Sequence, residues 1–164
     1  MNPLAVPPDL LRTVTILRAL DEGELDDFHR LLTMQEVPAG TCIIKEGGLV
    51  EHLYILCSGT VHVRRLAKQR ELLMGRLAPG AFFGEINFFD PGTATASIYA
   101  MTRTQVAQVE YGTLRAFMES QPAAGYKIVS RMMTEMASRF RQNSARLVHT
   151  LYWSSAGATQ AEEA

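Results

Sequence analysis

Cysteine is scarce in this sequence: its 164 residues include only Cys42 and Cys57, which form no CxxC pair. A disulfide framework and a cysteine-held iron–sulfur cluster both need more cysteines than this. Cys42 and Cys57 each stand in an apolar stretch of sequence, "TCIIK" and "YILCSG", which predicts two small buried core residues. The sequence therefore indicates a reducing compartment and a fold without covalent cross-links.

Long apolar runs are also absent. No run approaches the roughly 18 residues that a membrane-spanning helix needs. The N-terminal stretch "MNPLAVPPDLLRTVTILRAL" lacks a basic leader, and it carries Asp9 and Arg12 within its apolar portion, unlike a signal peptide. We therefore expect a cytoplasmic protein with no membrane partner.

Net charge is close to zero, because 16 Lys and Arg residues face 17 Asp and Glu residues. The whole molecule then has no global attraction to nucleic acid or to an anionic membrane, and any such binding needs a local patch. With 47% hydrophobic and 20% charged residues, the chain has enough apolar material for a packed core. Its length suits one domain of ordinary size.

Catalytic and metal-binding motifs are missing as well. The four histidines, His29, His52, His62 and His149, are scattered without the HExxH spacing of a zinc enzyme. The sequence has neither a Gly-x-Ser-x-Gly elbow nor a Walker loop. We expect neither an enzymatic activity nor a metal site.

Hydrophobic periodicity divides the chain into sections. After an N-terminal arm (residues 1–9), residues 10–33 predict two short helices, in "DLLRTVTILRAL" and "DEGELDDFHRLLTM". Residues 34–110 hold short strand-like runs separated by "PAG", "EGG", "SG", "APG" and "DPG", which is typical of an antiparallel sandwich or barrel. The helical period returns over residues 111–153, and the polar end, residues 154–164, predicts a disordered tail.

The last helical segment carries a narrow heptad seam, made of Val129, Met133, Met136, Phe140, Asn143 and Leu147 and continued by Thr150. A strip this narrow suits pairing with a second helix, and a single polar residue such as Asn143 often fixes a two-stranded register. The seam predicts a homodimer or a docking site for a partner protein. The alternative is that Met132, Met133 and Met136 pack onto the β section.

The stretch "FFGEINFFDPGTATASIYA", Phe82 to Ala100, has an acid behind a glycine and a run of small hydroxyl residues. It looks built to hold a small polar ligand. A loop that grips a phosphate normally supplies a guanidinium or ammonium group in addition to backbone amides. This stretch contains neither Lys nor Arg.

The order of these pieces resembles the cyclic-nucleotide-binding domain shared by catabolite activator proteins and protein kinase A regulatory subunits. "GTCIIKEGGLVEHLYILCSGTVHV" is similar to its strands and turns, and "APGAFFGEINFFDPGTATAS" falls at its phosphate-binding cassette. The resemblance covers roughly Leu10 to Leu151. It implies an α+β, mainly β fold: an antiparallel β-roll or jelly roll with N-terminal helices and a long C-terminal helix.

The resemblance also implies a ligand site made of Gly84, Glu85, Ile86, Asn87, Ala94, Thr95, Ala96 and Ser97. In this site Gly84 would let the backbone approach the ligand, Glu85 would accept a hydrogen bond from a ribose hydroxyl, and Thr95 and Ser97 would place hydroxyls near the phosphate. Even without a ligand, Glu85 suits the start of a helix as a capping acid. Both roles for Glu85 remain open at this point.

The cassette departs from the family at Ala94, where or beside which the phosphate-gripping arginine would stand. Losing a charge-assisted contact costs about 1.5–3 kcal/mol, so we do not expect tight binding of cyclic AMP in the usual way. The Asn87 amide is a second departure and could fill part of the pocket. Substitute cations from neighbouring strands would be Arg64, Arg65, Arg76 or Arg103.

Activators of this family continue into a helix-turn-helix, whereas eleven residues follow Trp153 here. We therefore expect no specific DNA binding. The last helix carries a basic series that predicts a solvated side: Lys127, Arg131, Arg139, Arg141 and Arg146.

We predict a non-enzymatic regulatory or signalling module that acts through its C-terminal helix. One alternative is a sensor of cyclic AMP, cyclic GMP or cyclic di-GMP that uses a different cation, and a cyclic nucleotide is the only cofactor that the resemblance suggests. Another is a ligand-independent dimerisation or docking scaffold whose pocket is empty or is filled by its own side chains, such as Asn87 or Phe89. A third is a detached regulatory subunit of an enzyme or transporter.

Overall fold

The computed structural model describes Val6 and residues 8–162. Within this part of the chain, two short helices precede a β section and two further helices follow it. In chain order the elements are α1 (Pro8–Leu11), α2 (Glu22–His29), β1 (Thr33–Val37), β2 (Cys42–Ile44), β3 (His52–Ser58), β4 (Val61–Ala67), β5 (Arg70–Leu77), β6 (Phe82–Phe83), α3 (Glu85–Phe89), β7 (Ser97–Ala100), β8 (Thr104–Glu110), α4 (Tyr111–Ser120) and α5 (Pro122–Glu162).

The strands form two four-stranded sheets with the orders β1-β8-β3-β6 and β2-β7-β4-β5. Every strand pair in them is antiparallel. Two facing antiparallel sheets are the arrangement of a jelly roll. The predicted α+β, mainly β fold with a long C-terminal helix is therefore confirmed.

The core has two apolar layers, and β3 lies between them. Leu53, Ile55 and Cys57 of this strand face the layer that contains the helices, whereas Leu56 faces the layer between the two sheets. Because successive strand residues point to opposite faces, a strand buried on both faces reads as an almost continuous apolar run. The segment "LYILC" has this character.

The helical layer is held together by polar contacts as well as by apolar packing. Asp21 and Glu24 form a capping box at the start of α2, each side chain accepting a hydrogen bond from the other's backbone amide at 2.9 Å. Lys127 of α5 donates to the same Glu24 at 2.7 Å. These contacts fix the first turns of α5 against α2.

The helix predicted over residues 10–20 is wrong beyond its first turn. Here α1 ends at Leu11 and a series of turns follows. The segment "TVTI" is β-branched throughout, which disfavours helix, and the Thr13 hydroxyl bonds the Leu10 carbonyl at 2.7 Å in competition with helical bonding. The periodic apolar residues are nevertheless buried, Val14, Ile16 and Leu17 among them.

Two further expectations differ from the structure. Cys42 is exposed, not buried, because the pairing of β2 with β7 shifts register between Cys42 and Ile44, so that Ile44 faces the core and Cys42 does not. Cys57 is buried as predicted. The helix α5 continues to Glu162, so a disordered tail is not what the structure has over residues 154–162. Residues 163–164 of that predicted tail lie outside the described residues.

No helix in the described part is long and apolar enough to span a membrane.

Candidate ligand pocket

A cavity of about 100 Å³ opens where β6 leads into α3. It is lined by seven of the eight residues predicted for the site: Gly84, Glu85, Ile86, Asn87, Ala94, Thr95 and Ala96. Its wall is mostly apolar and comes from the β2-β7-β4-β5 sheet, through Ile44, Val63, Leu77 and Ile98, and from Val50 and Phe83 outside that sheet. Because ligand pockets are usually about 300–1,000 Å³, the cavity has to widen to admit a nucleotide.

Gly84 sets the direction in which the chain enters α3. Its φ of 83° lies in the left-handed region, and a Cβ atom built there would stand 2.7 Å from the carbonyl oxygen of His52. Only glycine fits both conditions without strain. The Tyr111 hydroxyl of α4 donates a short hydrogen bond to the Gly84 carbonyl, which fixes the turn from the other side.

Glu85 is a buried acid with one cationic partner. The residue is 6% exposed, and its Oε1 accepts a hydrogen bond from Nη1 of Arg139 at 3.2 Å. Burial raises the pKa of the Glu85 carboxyl, while the Arg139 guanidinium lowers it and the nearby Glu135 carboxylate adds to the rise. The Arg139 guanidinium therefore opposes the effect of burial on this carboxyl.

Arg139 reaches the pocket from α5 and makes four contacts there. Besides Glu85, its Nη2 donates to the Phe82 carbonyl at 2.9 Å, and its guanidinium lies 4.7 Å from the centroid of the Phe82 ring. Its Nε is 3.5 Å from Glu135 one turn earlier on the same helix. The side chain is 25% exposed, so the prediction that it lies on a solvated side of α5 is wrong.

Arg139 is therefore the pocket-lining cation that sequence reasoning missed. It stands 54 positions after Glu85, and no local motif marks it. The four strand arginines considered as substitute cations do not line the pocket. Three of them pair elsewhere: Arg64 with Glu71, Arg65 with Glu46 and Arg103 with Glu36.

The side chains proposed to fill the pocket behave differently. Asn87 lines it, but its amide donates to the Gly92 carbonyl at 2.9 Å and so closes the loop between them. Phe89 is exposed and stacks edge-on against Phe88 outside the cavity. Ser97 lies outside the lining, because its hydroxyl accepts the backbone amide of Glu46 at 2.9 Å. The role of the Ser97 hydroxyl near a phosphate stays a prediction.

Ala94 faces the cavity from a rigid position. It is buried, its backbone amide donates to the Gly48 carbonyl at 2.8 Å, and its carbonyl accepts the Gly47 amide at 2.8 Å. A longer side chain at this position would start inside the pocket. The loop backbone is thus fixed independently of any charge at Ala94.

The C-terminal helices hold α3 through main-chain carbonyls. Arg115 of α4 donates to the Phe88 carbonyl at 2.9 Å, as Tyr111 does to Gly84 at the other end of α3. Arg139 of α5 does the same to Phe82 of β6, the strand that leads into α3. A movement of either helix must therefore stretch a contact to the cassette.

The heptad seam of α5 lies mainly in solvent. Val129 and Met136 are half-buried, whereas Met133, Phe140, Asn143 and Leu147 are exposed, Phe140 by 72%. Ile128 and Met132, on the other face, are fully buried against the domain. The alternative was that Met132, Met133 and Met136 pack onto the β section. Of these three residues, only Met132 is fully buried.

The comparisons with known proteins agree with this arrangement. The family model described as "Cyclic nucleotide-binding domain" matches residues 34–121, more than half of the chain. The chain belongs to the cyclic nucleotide-binding domain family. The match includes every residue of the predicted cassette and ends just before α5 begins.

Relatives within this family are regulators by name. A CRP-like cAMP-activated global transcriptional regulator from Mycobacterium tuberculosis is 27% identical over 143 residues, covering 87% of this chain and 63% of the relative. A cAMP-dependent protein kinase type II regulatory subunit from Drosophila melanogaster is 32% identical over 92 residues, covering 56% of this chain and 24% of the relative. The chain thus spans less than two thirds of the length of either relative.

The fold is also found in solved structures. A cyclic nucleotide-binding domain from Methylobacillus flagellatus superposes with a TM-score of 0.81 over 89% of this chain and 86% of that one, at 18% identity. At this identity the likeness concerns the fold alone.

Proposed function

We propose that this chain is a regulatory module that signals through α5 and does not bind cyclic AMP tightly. The observation that carries the proposal is the contact between Glu85 and Arg139: the acid of the pocket is already occupied by a cation from α5. No Lys or Arg lies in the cassette loop itself. A ligand must therefore displace Arg139 while finding no loop cation to hold a phosphate.

The energetic consequence follows from the strength of charge-assisted contacts. Such a contact contributes about 1.5–3 kcal/mol, and removing one partner from a buried charge pair costs about 2–5 kcal/mol. At a factor of ten per 1.4 kcal/mol, cyclic AMP would bind tens to thousands of times more weakly than to a pocket with the loop arginine.

Arg139 also provides a physical route from the pocket to the surface of α5. It precedes Phe140, an exposed seam residue, so a change at Glu85 acts directly on the helix turn that presents the seam. Any ligand or partner that prefers one of the two arrangements shifts the population toward it. The module would act without chemical catalysis, and its cytoplasmic location remains a prediction.

Binding of nucleotides tests the proposal directly. Nucleotide-free, refolded protein is titrated calorimetrically with cyclic AMP, cyclic GMP and cyclic di-GMP. We expect no heat at micromolar concentrations from the unaltered chain and measurable cyclic AMP binding by Ala94→Arg, whose guanidinium starts from a buried position facing the cavity. Micromolar binding by the unaltered chain would contradict the proposal.

A second candidate is a true nucleotide sensor in which Arg139 itself is the phosphate cation. It is favoured by the position of Arg139 in the lining of the pocket. If binding is found, Arg139→Gln separates the two functions: a sensor loses affinity at least about tenfold, whereas a pocket blocked by Arg139 gains affinity. Arg141→Gln, an exposed change on the same helix, is the matched control.

Dimerisation through α5 is the second part of the proposed function. The exposed apolar side chains of the seam support it, because burying such side chains against a second helix removes them from water. We expect Leu147→Glu to lower the mass in solution, measured by light scattering, to that of a monomer. A mass that stays unchanged, or an unaltered protein that is already monomeric, would exclude this use of the helix, and a captured partner protein would then be the remaining use of α5.

A further inference from the structure

The hairpin formed by β4 and β5, residues 61–77, concentrates positive charge in a chain whose net charge is -1. It carries five cations, Arg64, Arg65, Lys68, Arg70 and Arg76, and one acid, Glu71. Glu71 is engaged by Arg64 at 3.0 Å and by the Tyr99 hydroxyl at 3.1 Å. The hairpin is therefore a local basic patch of the kind that the overall charge does not reveal.

Most of this charge faces solvent. Lys68, Arg70 and Arg76 are exposed and take part in none of the ion pairs within the described residues. Lys68 and Gln69 both have positive φ, 46° and 66°, which makes them the two-residue turn of the hairpin. Lys68 thus stands at the tip, with Arg70 beside it.

The same hairpin exposes apolar side chains on both faces. Leu66, Leu72, Leu73 and Met74 are 40–60% exposed. Because Leu73 lies opposite Arg64 and Leu72 opposite Arg65, Leu66 and Leu73 share one face and Leu72 lies on the other. A flat protein partner covers only one face of a hairpin, whereas a lipid interface can surround both.

We propose that the β4–β5 hairpin docks this protein on an anionic lipid bilayer. The leucines and Met74 enter the boundary between headgroups and acyl chains, and Lys68, Arg70 and Arg76 contact anionic headgroups. This combination of apolar insertion and basic residues is what holds peripheral proteins at such surfaces. The proposal replaces the expectation of no membrane partner, which rested on the absence of a long apolar run and on a net charge near zero.

Nucleic acid is a weaker match to the same charges. Proteins that bind single strands stack bases on aromatic rings, and residues 61–77 contain no Phe, Tyr or Trp. Contacts to phosphates would also leave the exposed leucines in water. The apolar side chains therefore distinguish the two classes of partner.

Vesicle sedimentation tests the hairpin in the full-length protein. We expect partitioning onto vesicles of phosphatidylglycerol and phosphatidylcholine, little onto pure phosphatidylcholine, and weakening as salt is raised. The double change Lys68→Gln and Arg70→Gln should reduce partitioning about 25-fold, at roughly fivefold per cation. The pair Arg12→Gln and Arg30→Gln removes the same charge elsewhere on the surface and should leave partitioning nearly unchanged.

Leu72→Ser with Leu73→Ser tests the apolar part, and Leu49→Ser, another exposed leucine, is its control. Loss of binding in the first protein and retention in the second is the expected result. The proposal is overturned if the unaltered protein does not bind the vesicles or if the hairpin changes have no effect on binding. It is also overturned if the protein binds duplex DNA through the hairpin and does not bind lipid. It also fails if the leucine changes lower the mass in solution, because a second copy of the chain then covers the hairpin.

Discussion

Replacing Arg139 by glutamine is expected to reduce the free energy of unfolding by about 3 kcal/mol at pH 8, because it leaves the Glu85 carboxylate buried without a cation. The amide of the new side chain keeps part of the volume but none of the charge. Urea denaturation at a fixed protein concentration measures the change. The exposed Arg141→Gln should shift stability by less than about 0.5 kcal/mol.

The loss should depend on pH in a defined direction. Burial raises the pKa of Glu85 in the folded chain, so the folded state binds its proton more tightly than the unfolded state. Stability is then highest below the unfolded pKa and falls as pH rises through the folded pKa. Without Arg139 the pKa of Glu85 in the folded chain rises further. The difference in free energy of unfolding between the variant and the unaltered protein should therefore be small at about pH 4 and largest at about pH 8.

A double-mutant cycle isolates the contact from other effects of the substitution. Glu85→Gln together with Arg139→Gln should recover most of the loss, because no buried charge remains. A loss that is the same at both pH values and is not recovered in the double variant would mean that Arg139 stabilises the fold through Phe82 alone.

Replacing Gly84 by alanine is expected to cost about 3 kcal/mol of stability, the second large effect. An alanine there combines a left-handed backbone with a Cβ atom 2.7 Å from the His52 carbonyl oxygen. Since this oxygen belongs to the backbone of β3, it cannot rotate away. The entry into α3 must shift, and with it the position of Glu85.

Gly40→Ala separates the two causes. Gly40 has nearly the same φ, 84°, but a Cβ atom built there meets nothing within 4 Å. It should therefore cost only the conformational part, about 1 kcal/mol. Equal losses at Gly40 and Gly84 in urea denaturation would show that the close approach to His52 has no energetic importance.

Gly84 and Glu85 connect the pocket with the C-terminal helices. Gly84 and Glu85 receive hydrogen bonds from Tyr111 and Arg139, which lie on α4 and α5 respectively. These hydrogen bonds are direct contacts between the pocket and the two C-terminal helices. The arrangement makes the state of Glu85 inseparable from the position of α5.

Much of the fold could be predicted from local signals. The alternation and turn residues of the β section, the return of helical period at Tyr111 and the glycine before Glu85 each depend on a few neighbouring positions. Local prediction failed where local preference and burial disagreed. In the segment "TVTI" the apolar spacing was that of a helix, but the β-branched residues favoured turns that bury the same side chains.

The cassette shows the same division. From sequence, seven residues that line the cavity and the absence of a loop cation could be predicted. The roles of Ser97 and Asn87 could not, because each side chain bonds a backbone group brought close only by the folded loop. Exposure of Cys42 likewise depends on the register shift between β2 and β7.

The sequence by itself determined the family, the jelly-roll architecture, the place of the pocket and the heptad seam of the last helix, since these follow from patterns within short windows. Only the tertiary structure decided that Arg139 lines the pocket and that the β4–β5 hairpin exposes leucines on both of its faces beside cations outside the ion pairs of the described residues. The reason is physical. The ion pair joins residues 54 positions apart, and the exposure of the hairpin depends on which elements pack against it. Patterns within a short window of sequence report neither.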